Sequence, residues 1–201
     1  ADDLIELIKG AMRLLRLGDP WQLATDVGPV ISAQSAQALR SHIDSLSRDA
    51  RDLYATPLPD DLPEGHFVAP TLLELHDSRQ LEGEVFGPVL HVVRYATEDI
   101  DAVISAINAT GFGLTLGIHS RIASFCDYVS HAVKVGNVYV NRHMTGAVVG
   151  SQPFGGRNLS GTGFKAGGPN YLKRFMTEKC MSVDTTAAGG NASLLGDSHS
   201  Q

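Results

Sequence analysis

Cysteine is scarce: the 201 residues hold two, Cys126 and Cys180, far apart in the chain. With no CxxC pair and no cysteine–histidine cluster at metal spacing, a disulfide scaffold and a structural zinc site are both excluded. The eight histidines are scattered, and no two stand four residues apart on a helix face as a metal pair would. They read as ordinary surface or hydrogen-bonded residues. Positive charge is also short, with 16 Lys and Arg against 22 Asp and Glu and a net charge of −6. No basic field is available for nucleic acid or an anionic membrane, which removes both as partners through this region. No apolar run approaches the roughly 18 residues of a membrane span. The opening Ala-Asp-Asp-Leu-Ile-Glu lacks the basic-then-apolar order of a signal peptide. The chain therefore reads as cytoplasmic. What is present, 43% hydrophobic and 19% charged residues, is the balance of a globular chain long enough for a sizeable core.

Periodicity gives the organisation. Leu4, Leu7, Ile8, Ala11, Leu14 and Leu15 recur at three- and four-residue steps, predicting a helix over 3–17 that Gly18 and Asp19-Pro20 stop. Ser32 is placed to cap a second helix bearing Ala36, Leu39, Ile43, Leu46, Ala50 and Leu53. Prolines and acids break regularity over 54–64, and 67–75 reads as a strand interrupted by Pro70. Strand signals at 89–95, 114–118 and 137–141 alternate with helical patterns over 99–108 and behind Ser120, which is expected to cap the latter. That alternation predicts an α/β fold, a mainly parallel sheet covered by helices.

Beyond Asn141 the pattern dissolves into glycine: Gly146, Gly150, Gly155, Gly156, Gly161, Gly163, Gly167 and Gly168 crowd one stretch. Glycine at that density marks a loop whose backbone turns sharply or approaches something closely. Gly161-Thr-Gly163-Phe-Lys-Ala166 satisfies the permissive dinucleotide fingerprint. Its setting argues against that role, since Gly167-Gly168-Pro169 would interrupt the helix the fingerprint needs. Residues 174–184 mix polar and apolar positions as an edge or interface strand does, and the Gly/Ala/Ser-rich end is expected to be loosely held.

Three segments taken together carry a resemblance: Glu84-Val-Phe86-Gly87-Pro88, Gly136-Asn-Val-Tyr-Val-Asn141-Arg, and Pro153-Phe154-Gly155-Gly156 followed by Leu159-Ser160-Gly161-Thr-Gly163. In this order and at these separations they resemble the aldehyde dehydrogenase superfamily. Gly146-Ala147-Val-Val-Gly150-Ser-Gln-Pro153-Phe154 with Lys165-Ala-Gly-Gly168-Pro169 narrows it to the L-glutamate γ-semialdehyde (Δ1-pyrroline-5-carboxylate) dehydrogenase module of the bifunctional proline-utilisation enzymes. Arg157-Asn158 and Phe164 depart from that glycine-loop pattern. The resemblance implies an aldehyde dehydrogenase-like catalytic domain over 1–165 and a tail with an oligomerisation strand over 166–201. It also implies NAD as cofactor, L-glutamate γ-semialdehyde as substrate, the remainder of the dehydrogenase polypeptide as partner, and a homo-oligomer.

The superfamily reaction needs a cysteine thiolate to attack the aldehyde, a nicotinamide to take hydride and a carboxylate to activate water. Neither Cys126, on an apolar helical face, nor Cys180 sits in the sequence context of that nucleophile, and both read as buried structural cysteines. The expectation is therefore a C-terminal portion of the enzyme, without its own catalytic residue or main NAD-binding segment. Among the residues present, the resemblance gives Glu84 the ribose hydroxyls of the nicotinamide half and Phe86 the side of the ring. It gives Gly146 and Ala147 the substrate α-carboxylate through backbone N–H groups, and Phe154 the aliphatic carbons. Read without the resemblance, Glu84 is a solvated loop acid, Phe86 and Phe154 are core residues, and Gly146-Ala147 is a plain turn. A non-catalytic fragment that assembles with a partner is the alternative reading of the whole.

Overall fold

The computed structural model describes residues 1–144, 146, 148–161 and 163–184. Its core begins on one strand. Thr71–Leu75 (β2) is buried at every position, because it is the middle strand of a three-stranded sheet with a helix on each face. Asp52–Ala55 (β1) pairs with it antiparallel and Val89–Val93 (β3) pairs parallel, with Leu73 opposite both Leu53 and His91. Sequence reasoning missed β1, whose four residues are followed at once by Thr56, Pro57 and Pro59. Pro70 does not interrupt β2 but precedes it, and its carbonyl accepts from Thr56 N–H.

Helix Asp2–Met12 (α1) covers one face through Ile5 and Met12 against Leu72. It ends earlier than its apolar stripe predicts. Residues 13–17 leave the helix, and Arg16 O accepts from Asp26 and Val27 N–H as the chain folds back. Helix Ala33–Ser47 (α2) starts as read, with Ser32 Oγ accepting from Ser35 N–H at 3.1 Å. It covers the other face through Ala36 and Leu39. On the α1 face Glu74, 3% exposed, is gripped by Arg94, whose Nε and Nη2 donate to the two carboxylate oxygens at 2.7 and 2.9 Å. A bidentate guanidinium satisfies a carboxylate that the interior would otherwise penalise.

A second, two-stranded sheet is built by Thr115–Ile118 (β4) and Asn137–Val140 (β5), parallel and joined through helix Ala123–Ala132 (α4). Helix Ile100–Ala109 (α3) packs with them around Ile104, Ile118, Cys126, Val129 and Val133. The parallel arrangement expected from the strand–helix alternation is present in two of the three strand pairings, divided between two sheets.

Ser120 is not the cap of α4. Ile122 occupies that position, and Ser120 Oγ accepts from Ile122 N–H, two residues too early to cap. Cys126 is buried as expected. Cys180 is exposed, because 176–184 carries no regular structure and lies outside the core. The strand read at 174–184 is absent within this chain. Tyr171–Phe175 forms a 3-10 turn, and no ladder among the described residues reaches 176–184 to supply the partner a strand requires. No helix among the described residues is long and apolar enough to cross a membrane.

Candidate functional site

Glu84 and Phe86 sit on the loop between β2 and β3, and alternation decides where each points. Val85 packs into the cluster of Ala36, Leu39 and Val68, and Gly87 lies so close to Leu39 that an added Cβ would fall 2.5 Å from its methyls. With 85 and 87 turned onto α2, Glu84 and Phe86 are left facing outward. Phe86 is 89% exposed, which removes the reading of it as a core residue of this chain. Glu84 is exposed and lines an open cleft of about 880 Å³. Ile107, Leu114, Leu116, Val135 and Leu159 supply apolar walls, and the 3-10 turn Ser78–Gln80 forms one rim. That rim is fixed by a capping box between Asp77 and Gln80. The Arg79 guanidinium, bonded to both Asp77 oxygens, holds the Asp77 carboxyl down at about 2.

The glycine-rich stretch is held by different contacts. Gly136 approaches it so closely that a Cβ there would lie 1.8 Å from Gly155 O. Asn137 Nδ2 donates to Pro153 O at 2.9 Å, and Gly155 N–H donates to Asn137 Oδ1 at 3.2 Å. The Lys165 ammonium closes the arrangement by donating to Gly136 O, to Asn137 Oδ1 at 3.0 Å and to Gly155 O at 3.3 Å. Burial, and then the nearby Arg157 charge, pushes the Lys165 amine below its ordinary value. Phe154 is half-buried, and its backbone exchanges two hydrogen bonds with Ala166 at 3.0 and 2.9 Å. Gly146 is exposed at φ +87°, and its carbonyl accepts from Tyr139 Oη at 3.0 Å. Ala147 lies outside the described residues.

The cleft collects Glu84 but not Phe86, Gly146 or Phe154; it meets the glycine-rich stretch at Leu159 and Ser160. Gly161 to Ala166 has neither the feeding strand nor the following helix of a dinucleotide fingerprint. A 3-10 turn precedes it, and Ala166 pairs with Phe154 behind it. Lys165 and Asn137 were missed as organisers, since no periodicity marks a residue whose partners are main-chain carbonyls. Asn141, at φ +55°, accepts from Ser120 N–H and donates to Ser120 O, tying the end of β5 to the turn after β4. Among the described residues no group of three or more metal-ligating side chains occurs.

The profile of the aldehyde dehydrogenase family matches residues 1–181. The bifunctional protein PutA of Klebsiella aerogenes is 48% identical over 184 residues, covering 89% of this chain and 14% of that protein. A crystal structure of a mutant proline utilization A from Bradyrhizobium japonicum superposes with a TM-score of 0.83 at 53% identity, covering 92% of this chain and 19% of that one. A 1-pyrroline-5-carboxylate dehydrogenase from Thermus with bound NAD superposes with a TM-score of 0.75 at 35% identity, covering 85% of this chain and 33% of that one. The chain thus spans a minor part of each relative's length.

Proposed function

The chain belongs to the aldehyde dehydrogenase family, and from that premise we propose that it is part of an NAD-dependent dehydrogenase oxidising L-glutamate γ-semialdehyde to L-glutamate in proline catabolism. The observation that carries this reading is the 53% identity to a proline utilization A over 92% of the chain at a TM-score of 0.83. The attacking cysteine, the base and the principal dinucleotide-binding segment belong to the rest of such an enzyme, and the residues here supply walls of its site.

The cleft fits the nicotinamide half of NAD by its chemistry. An exposed carboxylate at a rim offers two acceptor oxygens to a vicinal diol, and apolar walls suit the rings on either side. When bound, NAD accepts the hydride. Glu84 accepts from the ribose hydroxyls and orients that sugar, while Phe86 presents an aromatic face beside the nicotinamide and excludes water from it. On the substrate side, Gly146 and Ala147 hold the α-carboxylate by backbone N–H groups, and Phe154 covers the methylenes.

Glu84→Gln in the enzyme carrying this segment removes a charge-assisted contact to the ribose, with an expected cost of about 1.5–3 kcal/mol in productive NAD placement. Steady-state kinetics in NAD+ and single-turnover hydride transfer should both register it. Parent-like values in both would make Glu84 a loop acid with no cofactor role.

A further inference from the structure

Outside the cleft, two histidines meet where α2 crosses β3. Nε2 of His42 and Nε2 of His91 lie 2.9 Å apart, with the rings edge to face, centroids 5.1 Å apart and planes at 88°. Such a bond needs one ring nitrogen to carry a proton and the other to offer a lone pair, which two imidazolium rings cannot do. Among the described residues it is the one side-chain-to-side-chain hydrogen bond joining α2 to β3.

Its location gives it a task. Leu39, one turn before His42 on α2, is the side chain against which Gly87 is wedged, and Val85 and Val89 pack on the same helix face. His91 follows Val89 by two residues, so it projects from the same face of the strand. The Glu84–Phe86 loop therefore rests on α2 and runs directly into β3, and the separation of those two elements sets where the loop stands. We propose that His42 and His91 are positioning residues, whose mutual hydrogen bond locks α2 to β3 and thereby fixes the loop that holds Glu84 at the rim of the cleft, with Phe86 facing outward beside it. The consequence for catalysis rests on the reading of Glu84 as a cofactor contact.

The surroundings keep the clasp neutral. Burial pushes both imidazoles below their ordinary value, and at His91 a charge on His42 pushes further. On α2, Arg40 is engaged with Phe67 O and Asp44 is exposed. On β2 the residue opposite His91 is Leu73, and Glu74 belongs to the other face, held by Arg94. Glu82 and Glu84 on the adjoining loop are exposed. Among the described residues no carboxylate is bonded to either ring to favour a second proton. One added proton still leaves a donor and an acceptor, so the clasp opens only when both rings are charged; with both folded values below the unfolded one, it is intact above about pH 6.5 and opens only as pH falls well beneath that.

The test uses the full enzyme carrying this segment, with amide-exchange protection of residues 89–93, corrected for the intrinsic effect of pH, alongside NAD+ kinetics. His42→Ala and His91→Ala should each lower that protection near neutrality and raise KM for NAD+ by about fivefold while kcat changes less. The parent should show the same loosening once pH is lowered well below about 6.5, where both rings take a proton. The double variant His42→Gln/His91→Gln, whose amides bond each other at any pH, should keep parent protection near neutrality and lose the acid loosening. Unchanged protection in both alanine variants overturns the clasp, as does acid loosening that persists in the double glutamine variant. If Glu84→Gln raises KM for NAD+ and the histidine variants do not, the positioning role is overturned. If Glu84→Gln also leaves KM unchanged, the cofactor reading fails while the exchange data still decide the clasp.

Discussion

Two loops carry the candidate contacts, and they are held by opposite means. The loop through Glu84 and Phe86 rests on side chains: Val85 and Gly87 against Leu39 on α2, with the fully buried Leu73 and Leu75 behind them in β2. The glycine-rich stretch rests on main chain: Gly136 against Gly155, Asn137 bonded to Pro153 and Gly155, and one ammonium gathering two carbonyls and an amide oxygen. A side-chain platform tolerates repacking, because neighbouring methyls can shift. A main-chain contact has no such slack. The first loop should therefore respond to substitution in a graded way and the second in an all-or-none way.

Gly136→Ala tests the rigid side and carries the largest expected effect. Its Cβ would stand 1.8 Å from a carbonyl oxygen that cannot rotate away. Adding one methyl should cost more than about 4 kcal/mol, beyond the usual range for a single substitution. Urea unfolding of the enzyme carrying the segment measures it, and a loss within about 1 kcal/mol would show that the stretch can yield, so that the contrast is one of degree. Leu73→Ala tests the graded side. Truncating a fully buried leucine should cost about 2–5 kcal/mol, depending on how far the site collapses. Exchange protection should fall across 71–93 while the glycine-rich stretch keeps its own. Loosening of both would mean that the loops share one support.

The same contrast explains how much of the molecule was legible in the sequence. Apolar spacing marked α2, α3, β3, β4 and β5, because each buries one face in one of two shared cores. It overran α1, whose stripe continues through Leu14 and Leu15 although the backbone has already turned away, and α2, which ends at Ser47 although its stripe runs on through Ala50 and Leu53, the latter a residue of β1. It missed β1, which is short and defined by its partner rather than by its residues. The family motifs singled out Glu84, Phe86, Gly146, Ala147 and Phe154; Gly136, Asn137 and Lys165 stood in the same motifs without a role, and only geometry shows that they organise the stretch while Glu84 and Phe86 face outward. His42 and His91, 49 residues apart, had nothing in the sequence to link them.

The smallest expected effect on stability is also the one that bears on substrate. Gly146 has φ +87°, and a Cβ there would meet nothing, so Gly146→Ala is opposed by backbone conformation alone. Holding an alanine in left-handed geometry costs roughly 1–2 kcal/mol, to be read from the unfolding free energy. Gly150 shares that situation, with φ +83° and open space, and Gly150→Ala should cost about as much. The pair separates two reasons for a glycine in the same stretch. If the Gly146 N–H holds the α-carboxylate, tilting that peptide misaligns a donor to a charged group, and kcat/KM for the semialdehyde should fall well beyond the stability change. A short aldehyde without a carboxylate should be spared, and Gly150→Ala should leave the ratio of the two substrates near the parent's. Equal losses for both substrates in both variants would reduce Gly146 to a turn residue, and the main-chain rigidity of this stretch would then serve the fold alone.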